Sequence, residues 1–357
     1  MRNHSVRSFA RNQSAVRLMP ENVASRQIFQ DILQGGAPAR PLFAPIAFAL
    51  ASRVENLPLR SFLGNPTKIC NALRQIRGPL QTDAVTCYFD PLLEVEALGA
   101  TIEWAPDHAE PGFSWTLAPQ PGDLPDGLVS ADDVLKRGRL PIVLDVIRRL
   151  KTILRDEFLL MAVVSGPLTL AARLVGWTRR SSASYQNVPG AALEVAAATI
   201  TELCKAFAEA GANLVLLKEE ISIDCASPVT EDWFSTLTSI FKMVRFYEAL
   251  PVLQIVQQDV SVETFRSILN LAPDCCVCIS LEAVNGLAIE SPSNVRDRRL
   301  GIALPTSSFQ QEQPHAANLE KTLREVRPVL ITSADDLPNT TNAKRVAAFS
   351  ERIRTSA

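Results

Sequence analysis

Short, almost wholly apolar runs recur along this chain, and each is followed by a stretch in which apolar residues return at helical spacing. The clearest are FLLMAVV at 158–164, NLVLL at 213–217, PVLQIV at 251–256, LGIAL at 300–304 and VLIT at 329–332. A strand that is apolar at nearly every position buries both faces, as happens in parallel sheets covered by helices. With PLFAPIAF at 41–48, AVTCYF at 84–89 and DCCVCIS at 274–280, the count reaches about eight, and that many strands with right-handed crossovers close into a barrel. Val23, Ile28, Phe29, Ile32 and Leu33 fall at helical spacing ahead of the first strand, and Gly35-Gly36 stops them. The expected fold is therefore α/β, a (β/α)8 TIM barrel with an N-terminal helical extension. Its functional groups belong at the C-terminal ends of the strands.

The 357 residues are 47 % apolar and 21 % charged, enough to bury one large core, so 21–357 is expected to be a single barrel domain. A formal net charge of −2 offers no basic field for nucleic acid. No apolar run approaches the roughly 20 residues of a membrane span. The seven cysteines lie mainly in apolar segments, which favours a reducing compartment and a cytoplasmic location. Residues 1–20 carry Arg2, Arg7, Arg11 and Arg17, several serines and no acid. An organelle transit peptide has that composition, and a disordered basic tail outside the fold is the plainer reading.

At 82–104, TDAVTCYFDPLLEVEALGATIEW, a buried strand ends on an acid, Asp90, with Pro91 behind it. Asp-Pro after a strand is ordinary turn or cap chemistry, yet the position is also where a barrel keeps its functional groups. The pattern of Asp-Ala, an apolar run, Asp, then Glu-Ala-Leu-Gly resembles the uroporphyrinogen decarboxylase family. Ser-Gly-Pro-Leu-Thr-Leu-Ala-Ala at 165–172 is similar to that family's turn after its third strand, and Ala-Gly-Ala at 210–212 to the turn feeding its next one. The resemblance runs over most of the barrel. It implies Asp90 as a catalytic carboxylate that accepts hydrogen bonds from the pyrrole N–H groups of a tetrapyrrole. A substrate-contacting tyrosine of the family falls at Arg173, and its Phe-Glu-Ser strand end falls at Lys218-Glu219-Glu220. Ser165, Arg173, Glu219, Glu220 and Gln254 are accordingly the expected substrate contacts.

The chain also departs from the family pattern. The Arg-Gln-Ala-Gly-Arg motif that binds substrate carboxylates is replaced by the apolar 41–48 run, and the late histidine is missing from 333–339. The family's other large branch, the corrinoid-dependent methyltransferases, carries His-x-Cys after one strand and a further cysteine near the last as zinc ligands. Here those places hold Gln254-Ile255-Val256 and Ser333-Ala334-Asp335. No zinc and no other cofactor is therefore expected. Cys275, Cys276 and Cys278 lack paired C-x2-C spacing and suit a buried strand. His108 and Trp115 lie in the Pro- and Gly-rich segment 105–127, expected to form a lid or surface hairpin, and His315 in a polar loop; none is given a role.

The resemblance implies a carboxy-lyase of the porphyrin biosynthesis type, acting on a tetrapyrrole or related carboxylate through Asp90. An acidic set of strand ends, including Asp90, Glu219, Glu220, Asp259, Glu282 and Asp335, argues against a porphyrinogen with eight carboxylates. Two alternatives stand beside it. One is a methyltransferase of the corrinoid branch that works with a corrinoid protein but lacks the zinc ligands, and the other is a barrel that binds without catalysis.

Overall fold

The fold described below comprises residues 20–104, 112–114, 123–155, 157–177, 188–220, 228–256, 262–271, 275–290, 299–310 and 316–356 of a computed structural model. The strands are β1 (Leu42–Phe43), β2 (Ala84–Thr86), β3 (Thr101–Glu103), β4 (Gly112–Ser114), β5 (Leu159–Ser165), β6 (Leu214–Glu219), β7 (Leu250–Ile255), β8 (Cys276–Ser280), β9 (Leu300–Leu304) and β10 (Leu330–Ser333). All except β3 and β4 form one parallel sheet in the order β1-β10-β9-β8-β7-β6-β5-β2.

Its two outer strands meet at Asp83, the residue ahead of β2, and the Thr86 hydroxyl adds a bond to the Pro45 carbonyl at 3.3 Å. The Asp83 N–H donates to the Phe43 carbonyl at 2.8 Å, and the Phe43 N–H donates to the Asp83 carboxylate at 2.8 Å. Arg40 binds that carboxylate with both guanidinium arms, at 2.7 and 2.8 Å, and the Ser25 hydroxyl reaches it as well. The sheet thus closes as the expected barrel.

Side chains alternate along each strand. Leu159, Met161, Val163, Leu214, Leu216, Leu250, Val252, Cys276 and Cys278 point inward and pack as one cluster, whereas Val215, Leu217, Leu253 and Val277 pack against the helices. Ile28, Phe29, Ile32 and Leu33 of the helix Pro20–Leu33 join the inner cluster and plug the barrel at the N-terminal ends of its strands. Cys276 and Cys278 are thus small apolar groups of the core, and Cys275 faces the helix layer. Gly301 on β9 makes room for them, since a Cβ there would lie 2.2 Å from the Cys278 sulfur.

One expectation needs correction. The first strand is not 41–48 but the two residues of β1; Pro45 has no N–H to continue the ladder, and Phe48–Ser52 turns into a short helix instead. Strand β3 lies outside the barrel and pairs antiparallel with β4. A hairpin thus accounts for part of 105–127, while His108, Trp115 and His315 lie outside the described residues.

Candidate active site

Following the inward positions toward the strand ends, each apolar row gives way to a polar one. Thr86, Ser165, Lys218, Gln254, Ser280 and Thr332 continue the inward alternation of β2, β5, β6, β7, β8 and β10. Ser165, Lys218 and Gln254 are register neighbours on three adjacent strands. The polar layer lies at the C-terminal mouth, where the segments after β2 and β10 add Asp90 and Asp335.

These groups form two sets of ion pairs, which a hydrogen bond from Arg173 to the Pro91 carbonyl joins. Arg139, just ahead of the helix Leu140–Leu154, binds the Asp90 carboxylate, donates to Glu96 at 2.7 Å and lies 5.4 Å from the Trp104 ring. The other Asp90 oxygen accepts the Leu92 N–H at 2.8 Å, so cap chemistry and ion pairing share one carboxylate. Arg173 donates to the Ser165 hydroxyl at 2.6 Å, to the Pro91 carbonyl and to Glu220 at 2.8 Å. Lys218 binds Glu220 at 3.0 Å and Asp335 at 2.9 Å, and its ammonium lies 5.5 Å from the Phe89 ring. Beneath them Glu94, fully buried, accepts the Ser165 N–H at 2.8 Å and its hydroxyl at 3.0 Å. Burial pushes the Glu94 carboxyl above its ordinary range, and the Arg173 charge and the Ser165 N–H oppose the rise. The void among these side chains measures about 10 Å³, room for about one water molecule.

The structure therefore brings Asp90, Ser165, Arg173 and Glu220 into one network, with Gln254 one strand away. Glu219, expected to contact substrate, faces outward instead. Its carboxylate accepts the Leu168 N–H at 3.0 Å, the Thr169 N–H at 2.9 Å, the Thr169 hydroxyl at 2.6 Å and the Trp233 indole N–H at 2.8 Å. It serves the N-terminus of the helix Pro167–Leu174, because consecutive strand residues face opposite sides. Of the other acids expected at the strand ends, Glu282 is exposed in the first turn of the helix Leu281–Glu290, and Asp259 lies outside the described residues. Lys218 and Arg139 were not singled out from the sequence. Two residues beyond inward Leu216, Lys218 was legible by alternation; Arg139 carries no periodic signal and is placed by the turn before its helix.

The places expected to hold zinc ligands can be tested directly. The Gln254 amide donates to the carbonyls of Ser333 at 3.2 Å and Ala334 at 2.9 Å, and the Ser333 hydroxyl accepts the Ile46 N–H at 2.8 Å. Val256 has no donor atom in its side chain. An amide bridge stands where thiolates and an imidazole would be needed, so these residues do not fit tetrahedral zinc. Among the described residues no group of three or more His, Cys, Asp or Glu could hold a metal.

Comparison with known proteins corrects the expected chemistry. The chain is 27 % identical over 222 residues to Methylcobamide:CoM methyltransferase MtaA of Methanosarcina barkeri (strain Fusaro / DSM 804), an alignment covering 60 % of this chain and 61 % of that protein. A second Methanosarcina barkeri protein of the same name is 28 % identical over 142 residues, covering 38 % of this chain and 40 % of its own length. The matched region thus falls short of two thirds of either relative. Among solved structures, a methyltransferase from Methanosarcina mazei superposes with a TM-score of 0.69 at 18 % identity, covering 93 % of this chain and 98 % of that one, which is a likeness of fold. No carboxy-lyase stands among these three, and the preference for a decarboxylase of porphyrin biosynthesis is overturned. Among the described residues no helix is long and apolar enough to cross a membrane. The family model for Uroporphyrinogen decarboxylase (URO-D) matches residues 25–238, well over half the chain and the part that supplies the bottom helix, the seam at Asp83 and the Asp90, Arg173 and Lys218 network, and the chain belongs to that family.

Proposed function

We propose that this protein is a methyl-transfer member of the family, of the corrinoid-dependent type, which works without the zinc set of that branch. The observation that carries the reading is the 27 % identity to a methylcobamide:CoM methyltransferase over 222 residues. The corrinoid, presented by a partner protein, would meet the barrel at the mouth, and the small acceptor or donor would lie in the polar layer beneath. Ser165, Arg173, Glu220 and Gln254 are proposed to contact that small molecule, with Asp90 fixing Arg139 at the rim. A thiol acceptor must lose its proton before it can attack a methyl group, and a nearby cation favours the thiolate. Lys218 and Arg173 supply positive charge in this layer.

The test is methyl transfer from methylcobalamin to 2-mercaptoethanesulfonate, followed by the corrinoid spectrum with protein dialysed against a chelator. Activity that survives chelation, and falls about 10²–10³-fold in Arg173→Met, is the expected result. No transfer to any thiol, or transfer that needs added zinc, would overturn the reading.

A further inference from the structure

We infer that Lys218 holds a small anionic ligand at the barrel axis, and that Asp335 is a tethered counter-ion which this ligand displaces. Lys218 rises from β6, yet it reaches Asp335 after β10 and faces Phe89 after β2. Those partners come from other sides of the barrel, so the ammonium sits under the middle of the mouth. Its side chain is 3 % exposed. A lysine so enclosed must stay paired.

The two partners of Lys218 are unequal. Glu220 is 6 % exposed and also binds Arg173, whereas Asp335 is 37 % exposed and lies on the solvent side. When the Lys218 pair opens, Asp335 keeps the Asp336 N–H, which its Oδ1 accepts at 2.9 Å, and its access to water; moving Glu220 would also break its buried pair with Arg173. The void beside Lys218 admits about one water, so a larger anion enters only if a partner leaves. Asp335 is the partner that can.

A second observation points to a ligand independently. Gln254, next to Lys218 in register and fully buried, has its amide nitrogen fixed by the Ser333 and Ala334 carbonyls. Its Oε1 therefore faces away from them, and among the described residues it has no partner. The Thr332 hydroxyl, also fully buried on the inward row, has none either among the described residues. Buried polar atoms left open in this way mark a place for a bound group. An ammonium on one strand and an open acceptor on its register neighbour suit a small acid that carries a hydroxyl or thiol.

The inference rests on the proposed function only for its choice of probes, 2-mercaptoethanesulfonate and ethanesulfonate, which lacks the thiol. Each is titrated into the full chain by calorimetry. Wild type is expected to bind both; Asp335→Asn should bind each more tightly, about tenfold if the latch is open a tenth of the time. Lys218→Met should lose most of the binding. Gln254→Leu should weaken only the thiol acid. Equal or weaker binding by Asp335→Asn, or unchanged binding by Lys218→Met, overturns the inference, as does failure of either probe to bind any variant. Should Lys218→Met fail to fold, the half-exposed Asp335→Asn decides alone. Methyl transfer with no Asp335→Asn effect on binding sinks the latch and leaves the proposed function standing; displacement without methyl transfer does the reverse.

Discussion

Glu219 shows how a single position is decided by what lies next to it. A Cβ on Gly166 would lie 2.1 Å from the Glu219 carboxyl carbon, so only glycine lets that carboxylate slide under the N-terminus of the following helix. Burial pushes the Glu219 carboxyl up, and the Thr169 and Trp233 donors hold it down. Gly166→Ala is expected to unseat the carboxylate, strand its buried donors and cost about 2–4 kcal/mol in chemical denaturation. It should be markedly non-additive with Glu219→Ala, because both remove the same contacts. A cost below about 1 kcal/mol, or simple additivity, would show that the helix does not depend on this approach.

Among the elements, the short helix Phe48–Ser52 draws little support from its own sequence. Five residues do not hold a helix in water. Asp336, beyond β10, accepts the Phe48 N–H at 2.8 Å and the Ala49 N–H at 2.9 Å and so caps it from the far end of the chain. Burial pushes the Asp336 carboxyl up to about 8, with the two backbone donors and Lys218 opposing and Asp335 adding to the rise. A carboxyl raised on folding binds its proton more tightly in the native state. Its contribution is therefore full below the unfolded value near 4 and is lost as pH rises through about 8. Denaturation midpoints should fall between pH 5 and 8, and Asp336→Asn should flatten that slope. An unchanged slope in the variant would assign the pH dependence to other groups.

For the whole molecule, closure depends on Asp83. It is fully buried, joins β1 to β2 through both its backbone and its side chain, and ties in Arg40 and the N-terminal helix through Ser25. Asp83→Asn leaves Arg40 without its buried partner and should cost about 3–5 kcal/mol, read as a lower midpoint at unchanged cooperativity. A loss below about 1 kcal/mol would mean that the seam is held elsewhere. The barrel and the family were legible in the sequence, because a buried parallel strand must be apolar on both faces and local motifs such as 82–90 and 165–172 keep their spacing whatever surrounds them. The reaction was not legible, since one barrel hosts many chemistries and motif resemblance favoured a decarboxylase, which the similarity to methyltransferases opposes. Nor was the site. The pairs Arg139 with Asp90, Lys218 with Asp335 and Asp336 with Phe48 join residues 49, 117 and 288 positions apart, and only the closed sheet brings them within hydrogen-bond reach. Alternation in the sequence determined which strand residues face inward, and tertiary structure alone decided which charges meet there, because an ion pair depends on distance in space and leaves no period along the chain.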